Sequence, residues 1–394
     1  MLSHLIHTVP EFWWAPEYDL LPTEPTHGVR ALFFRSVDHR GRKTRVFSYY
    51  AAPEHKEGER LPAVVLVHGG CGTAFDLWVK QWCDRGYAAI AIDTLGRYPN
   101  EESRGKSIRE GMTLTMRTRC DEGEYVSPPL NDECMTYGPP EEMWLYHAVS
   151  AVILAHSLIR SFPEVDPDRV GIMGVSWGGV LATHAISYDR RFAFAIPVYG
   201  SAYLATGDSK INRTYRNYGI DRHFNAQVGL DTVAFPVLWQ CHDLDCNFSV
   251  DANTRSYLAT RRAGAVLTIA NMGHSWGAAS SRKEPFAFAD GAIGRSQGLL
   301  CRVVTEPHGF GNVSFTIAVG EGAEGVRAVC HYLDAPMAFD ENGKYAYEWR
   351  HLAATVEGET VSLTLPPEAM SYYISLEWFQ GGEKMGISTC YVTE

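Results

Sequence analysis

The chain has 394 residues, 45% of them hydrophobic and 21% charged, which is enough apolar material to bury a large core. Its formal net charge of -11 argues against nucleic-acid and anionic-membrane partners, because those surfaces bind clustered Lys and Arg. We therefore expect a soluble globular protein that binds neither nucleic acid nor membrane.

The sequence also predicts a cytoplasmic location. No apolar run is long enough to cross a bilayer, and the first residues lack the basic start and long apolar core of a signal peptide. The nine cysteines are an odd number scattered through predicted strands and helices, which favours reduced thiols over a disulfide framework.

The first part of the chain predicts a hairpin followed by a parallel sheet. Two β-rich runs flank the polar turn 38–43. The apolar run 63–67 then ends in a glycine-rich loop, residues 68–72, and a second apolar run, 87–92, follows after residues with helical spacing. A buried strand, a helix and another buried strand indicate parallel pairing.

The same alternation continues to about residue 295. A polar excursion over 95–140 precedes a long amphipathic helix, and the apolar run 170–175 then predicts a buried strand. Further strands are predicted at 192–198, 235–240 and 265–269, with a second polar excursion at 199–231. This pattern predicts a doubly wound, mostly parallel α/β sheet.

The residues after this sheet predict a second domain. Short alternating runs separated by Gly, Pro and Asp indicate a small antiparallel β-sandwich over 296–394, following a catalytic domain at 1–295. A packing or dimerisation module is favoured over carbohydrate binding, and a strand edge could pair copies into a homo-oligomer.

A candidate nucleophile lies directly after the strand at 170–175. Gly174 to Gly178 reads Gly-Val-Ser-Trp-Gly, which fits the Gly-x-Ser-x-Gly elbow that raises a serine hydroxyl above a parallel sheet. The pattern alone also fits an ordinary strand-to-helix turn. Its place after a buried strand favours Ser176 as a catalytic residue.

A serine nucleophile needs a base and an acid that orients the base. His274 follows the strand at 265–269 and is the predicted base. The acid should follow the strand at 235–240, where we prefer Asp245, with Asp243 as the alternative and Asp251 interpreted as a helix cap. The chain order Ser, Asp, His is that of the α/β-hydrolase arrangement.

The backbone supplies the predicted donors for a developing oxyanion. One donor is the N–H of Trp177, the residue that begins the helix after the elbow. The other is the N–H of Gly70 or Cys71, which lie in the glycine-rich loop 68–72. Cys71 as a thiol nucleophile is a less simple account than the serine elbow.

A metal site is a further alternative. Five neighbouring residues of ligand type are crowded on one turn, and adjacent residues there should point in divergent directions, so we predict no metal. They are Cys241, His242, Asp243, Asp245 and Cys246.

Five segments resemble the acetyl xylan esterase-like and prolyl oligopeptidase-like α/β hydrolases, over roughly residues 60 to 280. The resemblance implies an α/β-hydrolase fold and a Ser-Asp-His ester hydrolase without metal or organic cofactor, often acting on acylated carbohydrates. It also fits a carboxy-terminal β-sandwich, which some members have. The segments are 68–75 (HGGCGTAF), 85–93 (RGYAAIAID), 144–149 (WLYHAV), 174–179 (GVSWGG) and 273–276 (GHSW).

Two positions depart from the family pattern. The family acid often lies in a Gly-x-Asn-Asp turn, whereas this chain reads His242-Asp-Leu-Asp245, which supports Asp245 and leaves Asp243 open. Cys71 stands where glycine is common.

The expected function is hydrolysis of a small-molecule ester. We predict a serine carboxylic-ester hydrolase that deacetylates an acylated carbohydrate or a similar small polar ester. The alternatives are a serine peptidase of the prolyl oligopeptidase-like type and a catalytically silent binding protein of the same fold. The excursions at 95–140 and 199–231 are the predicted walls of the substrate pocket.

Overall fold

A computed structural model describes residues 2–70, 72–107, 117–119, 139–207, 209–340 and 345–394. After an amino-terminal hairpin, the strands of its parallel sheet are separated by helices, as the sequence predicts. In chain order, the strands and helices up to residue 295 are β1 (Phe12–Trp14), β2 (Arg30–His39), β3 (Arg42–Ala51), β4 (Leu61–Val67), α1 (Asp76–Cys83), β5 (Ala88–Ile92), β6 (Arg97–Pro99), β7 (Arg117–Arg119), α2 (Trp144–Arg160), β8 (Val165–Val175), α3 (Trp177–Tyr188), β9 (Ala195–Val198), α4 (Lys210–Tyr218), α5 (Gln227–Leu230), β10 (Leu238–His242), α6 (Val250–Thr260), β11 (Val266–Ala270), α7 (Trp276–Ser281) and α8 (Glu284–Ala292).

The centre of the molecule is a parallel sheet. Its strands lie in the order β5, β4, β8, β9, β10, β11, and each pairs in parallel with the next. Every residue of β4 and β5 is buried, because helices cover both faces of a parallel sheet. The predicted α/β-hydrolase fold is therefore confirmed.

The predicted hairpin extends this sheet at one edge. β2 and β3 pair antiparallel around a turn at Arg40 and Gly41, both with positive φ. β3 in turn pairs antiparallel with β5, and β1 pairs with β2. The amino-terminal strands thus shield the edge of the parallel sheet.

Helix α2 is not amphipathic, contrary to the sequence prediction. It begins at Trp144 after a short 3-10 turn at Pro140–Glu142, and it is buried from Trp144 to Ile159. The reason is that the amino-terminal residues cover its outer face, where Ser157 Oγ donates to the Ile6 carbonyl at 2.9 Å.

The two excursions are described to different extents. In the first, β6 pairs with β7, whereas residues 108–116 and 120–138 lie outside the described part of the chain. The second contains α4 and α5. Within the described ranges, no helix is both long enough and apolar enough to span a membrane.

The predicted antiparallel β region is confirmed beyond residue 300. Its order is β12, β13, β16, β15, β14, β17, β18, with β19 beside β17. β18 also pairs antiparallel with β11 at Leu267 and Ser388, so the central sheet continues into this region. The strands are β12 (Cys301–Val303), β13 (Asn312–Val319), β14 (Glu324–Leu333), β15 (Arg350–Glu357), β16 (Thr360–Thr364), β17 (Ser371–Gln380), β18 (Glu383–Ser388) and β19 (Val392–Thr393).

Candidate active site

Ser176 sits on a sharp turn between β8 and α3. Its backbone has φ 59° and ψ -121°, a conformation that costs energy for any residue with a side chain. Its N–H donates to the Val198 carbonyl at 2.8 Å, which holds the turn against the neighbouring strand β9. The serine hydroxyl is thereby presented at the carboxyl edge of the parallel sheet.

Two glycines make this turn sterically feasible. A Cβ at Gly174 would lie 2.0 Å from the Gly178 carbonyl oxygen, and a Cβ at Gly178 would lie 2.0 Å from the Val67 carbonyl oxygen. Both contacts are with backbone atoms that cannot move aside cheaply. The close approach of β4, β8 and α3 therefore requires glycine at both positions.

Ser176, His274 and Asp245 come together at this edge. His274 Nε2 lies 2.8 Å from Ser176 Oγ, and His274 Nδ1 lies 2.7 Å from Asp245 Oδ2. The other carboxylate oxygen of Asp245 accepts the N–H groups of Asn247, at 2.8 Å, and Phe248, at 3.2 Å. An acceptor-only carboxylate places the imidazole proton on Nδ1, so Nε2 is left to accept the serine proton.

Two aromatic rings that the sequence reasoning missed enclose His274. Tyr199 stacks on the imidazole at 4.3 Å between centroids, and Phe248 lies on it at 5.9 Å with an interplanar angle of 7°. The Tyr199 hydroxyl donates to the Gly273 carbonyl at 2.6 Å, next to His274. Tyr199 directly follows β9 at the sheet edge that carries Ser176. This position after a buried strand is the sequence feature by which Tyr199 could have been predicted to lie at the site.

The glycine loop after β4 contacts the nucleophile. A Cβ at Gly69 would lie 3.0 Å from Ser176 Cβ, so the loop passes directly over the serine. As the first residue of α3, Trp177 has an N–H without a carbonyl partner inside the helix. Trp177 and Gly70 thus lie on the two segments beside Ser176, whereas Cys71 lies outside the described residues.

His68 fixes the shape of this loop, a role that the sequence reasoning also missed. It is buried, and its Nε2 accepts the Thr94 N–H at 2.9 Å. Its Nδ1 lies 2.6 Å from the Gly69 carbonyl oxygen and must be the donor there. The neutral imidazole therefore ties the glycine loop to the end of β5.

Asp243 lies in a different environment from Asp245. Its Oδ2 accepts the Tyr373 hydroxyl at 3.2 Å, and its Oδ1 lies 3.1 Å from His242 Nδ1. Burial lowers the pKa of His242, but the adjacent Asp243 carboxylate outweighs burial and raises it overall. The structure therefore brings Asp245, and not Asp243, to His274.

Asp251 does not cap helix α6, and this part of the sequence interpretation is wrong. Ser249 is the N-cap, because its side chain accepts the Ala252 N–H. Asp251 lies in the first turn and pairs with Arg255 at 3.0 Å. A serine immediately before the helix leaves the aspartate free to pair one turn along.

The crowded ligand-type residues do not converge. The carboxylates of Asp245 and Asp243 point to His274 and Tyr373, and Cys241 is buried, which raises its thiol pKa. In the described ranges, no cluster of three or more His, Cys, Asp or Glu is arranged to hold a metal ion.

Part of the chain matches the model of a known protein family. Residues 23–206 match the model of the acetyl xylan esterase (AXE1) family, a stretch that contains the glycine loop and Ser176. The predicted resemblance is confirmed, and the chain is a serine carboxylic-ester hydrolase of the α/β-hydrolase fold.

Solved structures of similar fold include two acetyl xylan esterases and a peptidase. The Paenibacillus sp. R4 enzyme is 20% identical over 69% of this chain and 87% of its own, with a TM-score of 0.48. The acetyl xylan esterase 1 of Thermoanaerobacterium sp. JW/SL YS485 is 16% identical over 69% and 86%, with a TM-score of 0.47. The Pyrococcus horikoshii acylaminoacyl peptidase is 19% identical over 64% of this chain and 39% of its own, with a TM-score of 0.44.

Proposed function

We propose that this ester hydrolase removes acetyl or similarly small acyl groups from a carbohydrate or another small polar ester, using Ser176, His274 and Asp245. The observation that carries the proposal is the continuous relay of 2.8 Å and 2.7 Å from the serine hydroxyl through the imidazole to the carboxylate. The family match supports an acylated carbohydrate as the substrate, since acetyl xylan is an acetylated polysaccharide.

The proposed reaction has two acyl-transfer steps. His274 Nε2 takes the proton of Ser176 Oγ while the oxygen attacks the ester carbonyl carbon. The N–H groups of Trp177 and Gly70 stabilise the oxyanion, and His274 then protonates the departing alcohol. His274 then deprotonates a water molecule, whose oxygen attacks the acyl carbon. The bond between that carbon and Ser176 Oγ breaks, His274 returns the proton to Ser176, and the carboxylic acid leaves. Asp245 keeps the imidazole in the required tautomer throughout.

The first test replaces the nucleophile. We expect Ser176→Ala to lower kcat for p-nitrophenyl acetate by at least about 10³-fold, because no other group on the turn can form the acyl-enzyme. Ser161→Ala, at the end of α2, is the matched control and should retain full activity. Intact-mass analysis after a fluorophosphonate should show one adduct that Ser176→Ala lacks. Full activity in Ser176→Ala would refute the proposal.

The second test identifies the acid. Asp245→Asn should lower kcat by about 10³-fold or more, because an amide cannot hold the imidazole in the same tautomer. Asp243→Asn should cost no more than about tenfold, because its side chain faces Tyr373 rather than His274. The reverse ranking would make Asp243 the acid.

The same assays separate the alternative functions. A peptidase of this fold would hydrolyse dipeptide amides faster than acetylated sugars, whereas the proposed esterase shows the opposite preference. A silent binding protein would give no fluorophosphonate adduct at Ser176 and no turnover of either substrate.

A further inference from the structure

Asp245 lies on a short connection between β10 and α6, which we call the acid loop and define as residues 243–248. One side of this loop is held by the start of α4. Ser209 Oγ donates to the Asn247 carbonyl at 2.7 Å, and the Lys210 N–H donates to the Cys246 carbonyl at 3.0 Å. These bonds fix the second half of the acid loop.

The first half of the acid loop is held by the carboxy-terminal β region. The Asp243 carbonyl accepts the Tyr347 hydroxyl at 3.0 Å and the Trp349 indole N–H at 3.1 Å. The Asp243 carboxylate accepts the Tyr373 hydroxyl at 3.2 Å. All three donors come from beyond residue 340, so a part of the chain that is distant in sequence holds the first half of the acid loop in place.

The three donors support one another and form a rigid unit, which we call the aromatic clamp (Tyr347, Trp349 and Tyr373). Trp349 packs edge-on against Tyr373 at 4.9 Å and against Tyr347 at 6.0 Å. His331 stacks on the other side of Tyr373 at 4.5 Å, with the rings 3° from parallel. Packed rings leave the donor groups little freedom to turn.

The surroundings of Tyr373 keep its hydroxyl protonated. Burial, and then the neighbouring Asp243 carboxylate, raise the pKa of Tyr373 well above its ordinary value. The hydroxyl therefore stays protonated and remains a donor. Asp243 is itself buried, so its carbonyl and carboxylate have little access to water as replacement partners.

We infer that the aromatic clamp is a positioning element of the catalytic apparatus, because it fixes the Asp243 turn and so aims Asp245 at His274. Asp243 also donates its N–H to the Ala270 carbonyl at 3.2 Å, on the strand that leads to His274. One turn thus fixes the acid relative to the base. The inference rests on the proposed function and gives the carboxy-terminal β region a role in the reaction.

The test removes two clamp hydroxyls and keeps their rings. In full-length Tyr347→Phe/Tyr373→Phe, we expect kcat for p-nitrophenyl acetate to fall about tenfold or more, since small displacements of catalytic groups are costly. KM should change less than about twofold, because neither hydroxyl belongs to the proposed substrate contacts. If the double variant is not fully folded at the assay temperature, Tyr373→Phe alone is measured.

Tyr372→Phe is the matched control. Tyr372 is the preceding residue of β17, is equally buried, and donates its hydroxyl to the Gly309 carbonyl at 3.0 Å within the carboxy-terminal region. Its loss should lower the urea midpoint by about as much as Tyr373→Phe alone and leave kcat unchanged. Stability and catalysis are thereby separated.

Proton NMR shows directly whether Asp245 is correctly oriented toward His274. The Nδ1 proton of His274, bonded to Asp245, should give a far-downfield proton resonance in the wild type and in Tyr372→Phe. The clamp variant should show it broadened or displaced. A clamp variant that matches Tyr372→Phe in both kcat and this resonance overturns the inference. The proposed function stands or fails separately, on the activity of Ser176→Ala.

Discussion

Tyr199 combines two functions in one side chain. Its ring stacks on His274, and its hydroxyl holds the Gly273 carbonyl, so it limits both the tilt of the imidazole and the path of the loop. Its own backbone has φ 66° and is fixed by the Gln240 carbonyl, which accepts the Tyr199 N–H at 2.6 Å. The surrounding structure therefore determines where the ring lies.

Tyr199→Phe should lower kcat about fivefold. One lost hydrogen bond is worth about 1 kcal/mol, and the stacked ring remains in place. Tyr199→Leu should lower kcat further, because the stack is also lost. The measurement is kcat for p-nitrophenyl acetate, with Tyr188→Phe at the far end of α3 as the control. Equal activity in Tyr199→Phe and wild type would show that the loop needs no hydroxyl.

The choice between Asp243 and Asp245 shows where sequence reasoning about single residues ends. Both aspartates follow the same strand, and order along the chain is satisfied by either. What distinguishes them is the partner that each side chain meets: His274 for Asp245, and Tyr373 for Asp243. Tyr373 lies far along the chain, so no local pattern could reveal the pairing.

The elbow is the element whose sequence was most informative. Gly178→Ala should destabilise the protein by at least about 3 kcal/mol, because the new methyl group would lie 2.0 Å from the Val67 carbonyl oxygen. Gly264→Ala is the control, since its φ of 82° is unfavourable but no atom lies within 4 Å of the added Cβ. It should cost about 1 kcal/mol in urea unfolding. Equal costs would contradict the steric argument.

Helix α2 shows why an element's surroundings are harder to predict than its type. The helical spacing of its apolar residues correctly predicted a helix. The prediction of a polar face was wrong, because residues near the amino terminus cover the side that a local pattern leaves to solvent. Strands β4, β5 and β8 were predicted more fully, since burial on both faces leaves an unbroken apolar run.

At the scale of the whole molecule, three buried histidines and one half-buried histidine should make the fold sensitive to acid. Burial lowers the pKa of four histidines to about 4, so they are neutral in the folded state at pH values where the unfolded chain already binds protons. They are His147, His156, His184 and His331. Stability should therefore fall as the pH decreases from 6.5 to 4.

Urea unfolding at pH 7, 6, 5 and 4.5 checks this expectation. Each of these histidines should contribute a slope of up to about 1.4 kcal/mol per pH unit within that interval. His242 contributes a slope of the opposite sign, but only above pH 6.5: its raised pKa stabilises the fold fully below pH 6.5, and that contribution is lost as the pH rises through the raised value. His184→Leu should flatten the profile. A free energy of unfolding that does not depend on pH would contradict the prediction.

The division of the chain into domains at residues 295 and 296 remains a prediction. The pairing of β18 with β11 indicates what would happen if the chain were cut there. Besides the Leu267 and Ser388 pair, the Ile269 N–H donates to Ser388 Oγ at 2.9 Å, so β18 occupies the outer side of β11. A fragment ending at residue 295 would leave β11 as an open strand with unpaired N–H and C=O groups. Such an edge is a template for strands of other molecules, so we expect the fragment to self-associate. We therefore expect the last hundred residues also to prevent strands of other molecules from pairing with β11.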